Sequence, residues 1–167
     1  MSAESLLIIY WWVFTIAVVL GAIGTVSLRS LFHSAMSLIL TLLGVAGYYL
    51  LLHAEFLAAV QIVVYVGAIM VLIIFAILVA RSVMGQEVRQ TNKLVVPALL
   101  GAAALFVIMV YAVMNTPFMF KPEGLPLASN TKQIGWSLMA TYTLPFEIAG
   151  MLLFIALMGA IVIASRD

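Results

Sequence analysis

The sequence predicts an all-α integral membrane protein with five transmembrane helices, and two observations support this class. Hydrophobic residues make up 66% of the chain while charged residues make up only 8%, whereas soluble domains contain about 25% charged residues. The apolar residues form five long runs, each able to cross a bilayer core of about 30 Å as a helix. Because the 167 residues leave little room for a soluble domain, residues 1–167 are predicted to form a single transmembrane domain.

The runs define the helices in order. The five predicted helices cover residues 5–28, 32–52, 56–80, 94–114 and 143–164. Helices 1 and 2 are joined by a few residues after Arg29, so they form an antiparallel hairpin. Small residues in helix 2, Gly44 and Gly47 among them, permit close packing. His53 and the two residues after it form a tight turn into helix 3.

Two polar loops and the basic residues set the predicted topology. A loop follows helix 3 at residues 82–93, and a long irregular loop rich in Pro and Gly runs from Asn115 to about Trp136. One side of the membrane receives Arg29, Arg81, Arg89, Lys93 and Arg166, and the other only Lys121 and Lys132. The positive-inside rule therefore places the N-terminus outside and the C-terminus in the cytoplasm.

Helix 3 contains the most informative polar residues. Gln61 and Tyr65 are spaced i,i+4 and share one face of an α-helix, which Ala68 continues. Gly67 lowers the local cost of a change in hydrogen-bond register. We therefore predict a π-bulge here and hypothesise that the segment can switch to a regular α-helix, with a rotation of about 100°. The candidate gating or proton-path residues are Gln61, Tyr65, Gly67, Ala68 and Met70.

Three stretches also resemble a known family. QIVVYVGAIMVLIIFAILVAR resembles the third transmembrane helix of the chain J / subunit 6 family of respiratory complex I, the NADH-quinone oxidoreductase, and YVGAIMVL is its most specific part. HSAMSLILTLLGVAGYYLLLHAEFLAAVQ resembles the second helix, and LPFEIAGMLLFIALMGAIVI the fifth. Helices 1 and 4 and the loop between helices 4 and 5 match only in length and placement.

The resemblance implies a core membrane-arm subunit of a proton-translocating electron-transport complex. In that family, helix 3 is associated with a π-bulge that couples the quinone end to the proton pathways. The complex as a whole would use NADH, FMN, iron–sulfur clusters and quinone. The implied partners are the small A-type and K-type subunits, the quinone-site H-type subunit, the antiporter-like subunits and the lipid bilayer. The implied location is a bacterial inner membrane.

The residues of this protein do not by themselves predict catalysis. His33 and His53 lie at opposite ends of helix 2, roughly 30 Å apart, so they cannot share a metal or haem. The sequence contains no Cys for a cluster or thiolate site. A net charge of +1 gives no reason to expect nucleic acid. We therefore predict no catalytic, cofactor-binding or metal-binding residue, and a subunit that is not stable or active alone.

Each candidate residue has a plainer interpretation. Some members of the family have Glu at the position of Gln61, which is uncharged and cannot carry a proton as a carboxylate could. Gln61 and Tyr65 could simply join helices by hydrogen bonds, and the methionines could be packing residues. Glu147 is interpreted first as an interfacial carboxylate near the start of helix 5, and second as a buried carboxylate that contacts a neighbouring subunit.

Three function classes remain open. The first is the complex I subunit, with a structural and gating role. The second is a homologous subunit of a cation/proton antiporter or membrane-bound hydrogenase complex. The third is an unrelated small transporter, which is disfavoured because the predicted helices contain almost no ionisable residue near the middle of the membrane.

Overall fold

The computed structural model describes residues 3–81, 94–117 and 130–165, and these residues form helices and short turns, with no strand among them. The helices are α1 (Ala3–Ser27), α2 (Leu31–Leu51), α3 (Glu55–Val60), a π segment (Gln61–Met70), α4 (Val71–Arg81), α5 (Val95–Asn115), α6 (Asn130–Met139) and α7 (Thr143–Ala164). The α3 helix, the π segment and α4 are continuous and are together called helix 3. The described residues include five helices long and apolar enough to cross a membrane, which confirms the predicted fold class.

The five predicted spans agree with the observed helices to within one or two residues at each end. The difference lies in the long loop, which the sequence predicts to be irregular as far as about Trp136. Asn130–Met139 is instead the helix α6. The proline residues of that loop all precede residue 130, so nothing in the later part prevents a helix. Residues 82–93, residues 118–129 and Arg166 lie outside the described residues.

The protein divides into two compact units, which are described separately. One unit is made from Met1–Leu78 and Pro126–Asp167, and the other from Val79–Leu125. The first contains α1, α2, most of helix 3, α6 and α7, and the second contains α5. The single transmembrane domain expected for residues 1–167 stays a prediction.

The α1 and α2 helices form a closely packed hairpin. A β-carbon at Gly44 would lie 2.7 Å from Val18 Cγ2, so the missing side chain lets the two backbones approach. The Ser37 hydroxyl donates a hydrogen bond to the Gly21 carbonyl oxygen at 2.9 Å. Small residues at the contact and hydroxyl-to-backbone bonds are the usual stabilising features of helix pairs in lipid.

A left-handed residue ends α2 and turns the backbone into helix 3. His53 has a φ of 55°. The N–H of Ala54 donates to the Tyr49 carbonyl at 2.8 Å, and the N–H of His53 donates to the Leu50 carbonyl at 3.0 Å. This pair of bonds is a Schellman motif, in which glycine is the usual left-handed residue. The motif fixes the direction in which helix 3 begins.

The core lies where α2 packs against α1 and helix 3. The buried non-glycine residues within the described ranges are Ala35, Ala46, Ala58, Gln61 and Met70. The span helices α5 and α7 contain no buried residue. The packed part of this molecule is therefore a three-helix group of α1, α2 and helix 3.

Candidate functional site

The candidate site is the π segment in the middle of helix 3. Hydrogen bonds from residue i+5 to residue i widen the turns over Gln61–Met70, while α-helix continues on both sides. π-Helical turns are rare and often occur at functional sites. The predicted π-bulge is thereby confirmed.

Gln61 begins the π segment and is its only buried polar residue. Its side chain is 7% exposed. The Gln61 amide Nε2 donates a long hydrogen bond to the main-chain carbonyl oxygen of Leu42 in α2, at 3.5 Å. A bond of that length is weak, so it orients the amide against α2 without holding it rigidly.

The π turns place Gln61 and Met70 on the same side of helix 3. Met70 is 1% exposed, and the π segment packs against α2. Nine residues of α-helix would rotate the backbone by about 900°, which would put the two residues on opposite faces. At roughly 80° per residue, nine residues of π-helix complete about two full turns and return to the same face.

Tyr65 lies away from the buried face that Gln61 occupies. Its side chain is 47% exposed, and Ala68 is exposed as well. In a regular α-helix four residues turn the backbone by about 400°, so Tyr65 would lie about 40° to one side of Gln61. At roughly 80° per residue Tyr65 lies about 40° to the other side. In the wider π turn the half-buried position is the next residue, Val66. The phenol of Tyr65 is thus presented to whatever surrounds this subunit.

Gly67 lies where the π turn leaves little room for a side chain. A β-carbon at this position would be 3.3 Å from the Ile62 carbonyl oxygen, five residues earlier, and no other atom outside the local helix backbone lies within 4 Å. That distance is shorter than an ordinary van der Waals contact between such atoms. Gly67 is therefore suited to the π register for a local backbone reason and not because another helix packs against it.

Glu147 lies on a different helix and is not part of this group. It is the fifth residue of α7 and is exposed. It lines an open groove along one side of α7, together with Phe146, Gly150 and Phe154. The structure therefore brings Gln61, Gly67 and Met70 together in one segment and leaves Glu147 apart, on a helix with no buried residue.

The described part of the protein contains no candidate metal-binding site. No group of three or more His, Asp or Glu side chains there could hold a metal ion. His33 contacts the ring of Phe32 edge-on at 5.8 Å between ring centroids, and His53 is the left-handed residue after α2. The surroundings of each histidine are therefore structural: a neighbouring aromatic ring for His33 and the end of α2 for His53.

Sequence reasoning missed the partner of Gln61, because that partner is a backbone carbonyl. Leu42 has no polar side chain that could mark it in advance. A weak signal was present in α2, where Ala35, Leu42 and Ala46 share one face at helical spacing. Two small residues around Leu42 let another helix reach its carbonyl oxygen.

Comparison with known proteins finds one family model and several relatives that share the same description. Residues 21–163 match the family model described as NADH-ubiquinone/plastoquinone oxidoreductase chain 6. The NAD(P)H-quinone oxidoreductase chain 6 of Leptolyngbya boryana is 36% identical over 166 residues, covering 83% of that relative and 99% of this chain. The chloroplastic NAD(P)H-quinone oxidoreductase subunit 6 of Zygnema circumcarinatum is 35% identical over 175 residues, with coverage of 96% and 99% in the same order. The organellar-chromatophore subunit 6 of Paulinella chromatophora is 37% identical over 168 residues, with coverage of 78% and 96%.

Proposed function

Since this chain belongs to the family of NADH-ubiquinone/plastoquinone oxidoreductase chain 6, and is thus a membrane subunit of a quinone oxidoreductase, we propose that it couples quinone reduction to proton translocation through a register switch in helix 3. The subunit has a structural and gating role and supplies no catalytic residue. The observation that supports this proposal is a π segment, Gln61–Met70, with a weakly bonded polar side chain at its start.

The switch exchanges which residues face α2. In the π register, Gln61, Val66 and Met70 are buried or half-buried. If Gln61 stays in place and the segment becomes regular α-helix, Tyr65 and Ala68 come round to the α2 side and Met70 turns away. The exchange replaces a bulky apolar side chain with a phenol and a small alanine.

The consequence for protons follows from this exchange. A hydroxyl beside a small residue leaves room for water and supplies a hydrogen-bond donor and acceptor, whereas Met70 fills the same space with an apolar group. The segment controls water and is not a proton carrier, because Gln61 to Met70 include no Asp, Glu, His, Lys or Arg. It therefore gates a proton path that the ionisable groups of other subunits provide.

Cysteine cross-linking in the assembled complex tests the switch directly. The sequence contains no Cys, so pairs can be introduced without background from this subunit. Ala35 lies on the Leu42 face of α2, seven residues before Leu42, so antiparallel packing puts it near the level of Met70. Ala35→Cys should cross-link to Met70→Cys at rest, and to Ala68→Cys in a fraction that rises during turnover.

A control pair separates switching from general motion. Ala46→Cys and Ala58→Cys replace two residues that are each 2% exposed, and Ala58 precedes the π segment. This pair should cross-link equally at rest and during turnover. Cross-linking of the Met70 pair that is unchanged by turnover, with none at Ala68, would contradict the switch while leaving the family assignment intact.

We also propose which subunits this protein assembles with, which membrane contains it and where the cofactors are bound. Its partners are the small A-type and K-type subunits, the quinone-site H-type subunit and the antiporter-like subunits, and its membrane is a bacterial inner membrane. NADH, FMN, iron–sulfur clusters and quinone are bound by other subunits. Purifying the native complex and identifying its subunits by mass spectrometry tests this. Recovery of hydrogenase or cation-antiporter subunits in place of the quinone-site subunit would contradict it.

A further inference from the structure

The short helix α6 has one face turned to the protein and one face that nothing in the described residues covers. Ile134 and Leu138, one helical turn apart, are half-buried on the side that packs against α3 and α7. Trp136 points the opposite way and is 75% exposed. Lys132, Gln133 and Met139 flank it and are also exposed. These four residues are called the outer face of α6.

Hydrogen bonds fix α6 at the start of the last span. The Thr143 hydroxyl donates to the Met139 carbonyl oxygen at 2.6 Å, and the N–H of Tyr142 donates to the Ser137 carbonyl oxygen at 2.7 Å. The span helix α7 begins at Thr143. Because α6 ends only a few residues earlier and is bonded to that start, it cannot lie far from the level at which α7 enters the membrane.

A second contact places α6 at the same level along the spans, independently of its hydrogen bonds to the start of α7. The α6 helix packs against α3, the first turns of the span that begins at Glu55. Helices α3 and α7 both begin on the same side of the membrane under the five-span alternation. Since α6 touches the starting ends of two spans, it lies at the level of those ends and not at the middle of the helices.

The side chains of the outer face suit the headgroup layer of a bilayer. Tryptophan is enriched at the membrane–water boundary, and a lysine there can lay its apolar stem along the lipid and keep its charge in water. All ten residues of α6 are free of Asp and Glu, so nothing on this helix repels lipid phosphate. The other two tryptophans of the protein, Trp11 and Trp12, lie in the third turn of α1, in the half of that helix that begins on the same side of the membrane.

We propose that α6 is a membrane-surface helix whose outer face binds phospholipid at the boundary between headgroups and acyl chains. Its inner face then holds the starting ends of helix 3 and α7 at a fixed depth. A phospholipid suits this face because its phosphate can meet Lys132 while its acyl chains meet Trp136 and Met139. A protein partner is the alternative outcome of the test below. This proposal concerns a surface outside the π segment and does not depend on the register switch.

Site-specific photo-cross-linking in the assembled complex, in its native membrane, tests the proposal. A benzophenone amino acid is placed at position 136, and the adducts of this subunit are identified by mass spectrometry. We expect a phospholipid adduct at position 136 and, in the matched control at position 134, an internal adduct to helix 3. Position 139, on the same outer face, should also give phospholipid and replaces position 136 if that variant fails to assemble.

Two results would overturn the proposal. An adduct between position 136 or 139 and another subunit would show that a protein covers the outer face. Absence of any lipid adduct at both positions, with the position 134 control reacting normally, would show that the face is in water. The complex need not turn over during the experiment, so neither result bears on the proposed gating.

Discussion

Gly47 in α2 lies directly against the aromatic ring of Phe14 in α1. A β-carbon added at Gly47 would come within 2.5 Å of Phe14 Cζ, so this contact exists only because position 47 has no side chain. The same ring lies 6.3 Å, centroid to centroid, from that of Tyr48. Replacing the glycine must therefore separate the two helices or displace a packed aromatic group.

Gly47→Val should reduce the amount of this subunit in the assembled complex. Overpacking of a tight contact costs about 1–3 kcal/mol. The measurement is quantitative mass spectrometry of the complex purified from membranes. Gly101→Val is the control within this subunit, because a β-carbon at Gly101 meets no atom of the subunit within 4 Å. An amount of the Gly47→Val subunit equal to that of the unsubstituted subunit would refute the packing argument.

His53→Gly should stabilise the subunit. His53 is held in the left-handed region at a φ of 55°, which costs a non-glycine residue roughly 1–2 kcal/mol. Glycine removes most of that cost and keeps the Schellman motif. The thermal denaturation midpoint of the purified complex should rise with His53→Gly and fall with His53→Val, since branching at Cβ worsens the strain. A lower midpoint for the glycine variant would mean that the histidine side chain makes a stabilising contact.

Gly67→Val should slow proton pumping while the complex still assembles. The added side chain meets the Ile62 carbonyl oxygen, where even a β-carbon lies at 3.3 Å, so it disfavours the π register relative to regular α-helix. Each 1.4 kcal/mol of bias changes the ratio of the two registers about tenfold. Pumping rates in reconstituted vesicles should fall in the order Gly, Ala, Val at position 67. Equal rates for the three would disprove any need for the π register.

Glu147→Gln should leave quinone reduction and pumping near normal. Glu147 lies in the second turn of α7 and is exposed, as an interfacial carboxylate would be. Turnover is measured on complexes shown to contain every subunit. A large loss of turnover would instead support the second interpretation, a carboxylate buried against a neighbouring subunit.

Cysteines placed at Ser2 and Ser165 should react with an impermeant thiol reagent from opposite sides of the membrane. Five spans require this, and the sequence contains no Cys of its own to interfere. The excess of Lys and Arg on one side predicts that position 2 is labelled from outside. Labelling of both positions from the same side would eliminate the five-span topology.

The spans could be predicted because the length of each apolar run is enough to define a membrane-crossing helix. A run such as residues 143–164 must be helical in lipid, where every backbone group needs an internal hydrogen bond. The π segment could also be placed, through Gly67 and the family resemblance. The exposure of each residue could not be predicted, since the wider turns move Tyr65 to the other side of Gln61 and put Val66 in the half-buried position.

The helix α6 could not be predicted because its signal is short. Only Ile134 and Leu138 mark an apolar stripe in its ten residues, and the proline-rich stretch before it dominates the composition of the loop. Its helicity depends on contacts with α3 and α7, and those with α3 are long-range in sequence. Isolated helices of this length are marginal in water, so tertiary packing decides the outcome.

The absence of buried residues in α5 and α7 has a consequence for the synthesis of this subunit. A copy inserted without its partners presents two whole spans to the lipid. Membrane proteases and insertion factors act on spans of this kind. The cellular level of the subunit should therefore follow the supply of its partners, with orphan copies degraded soon after translation.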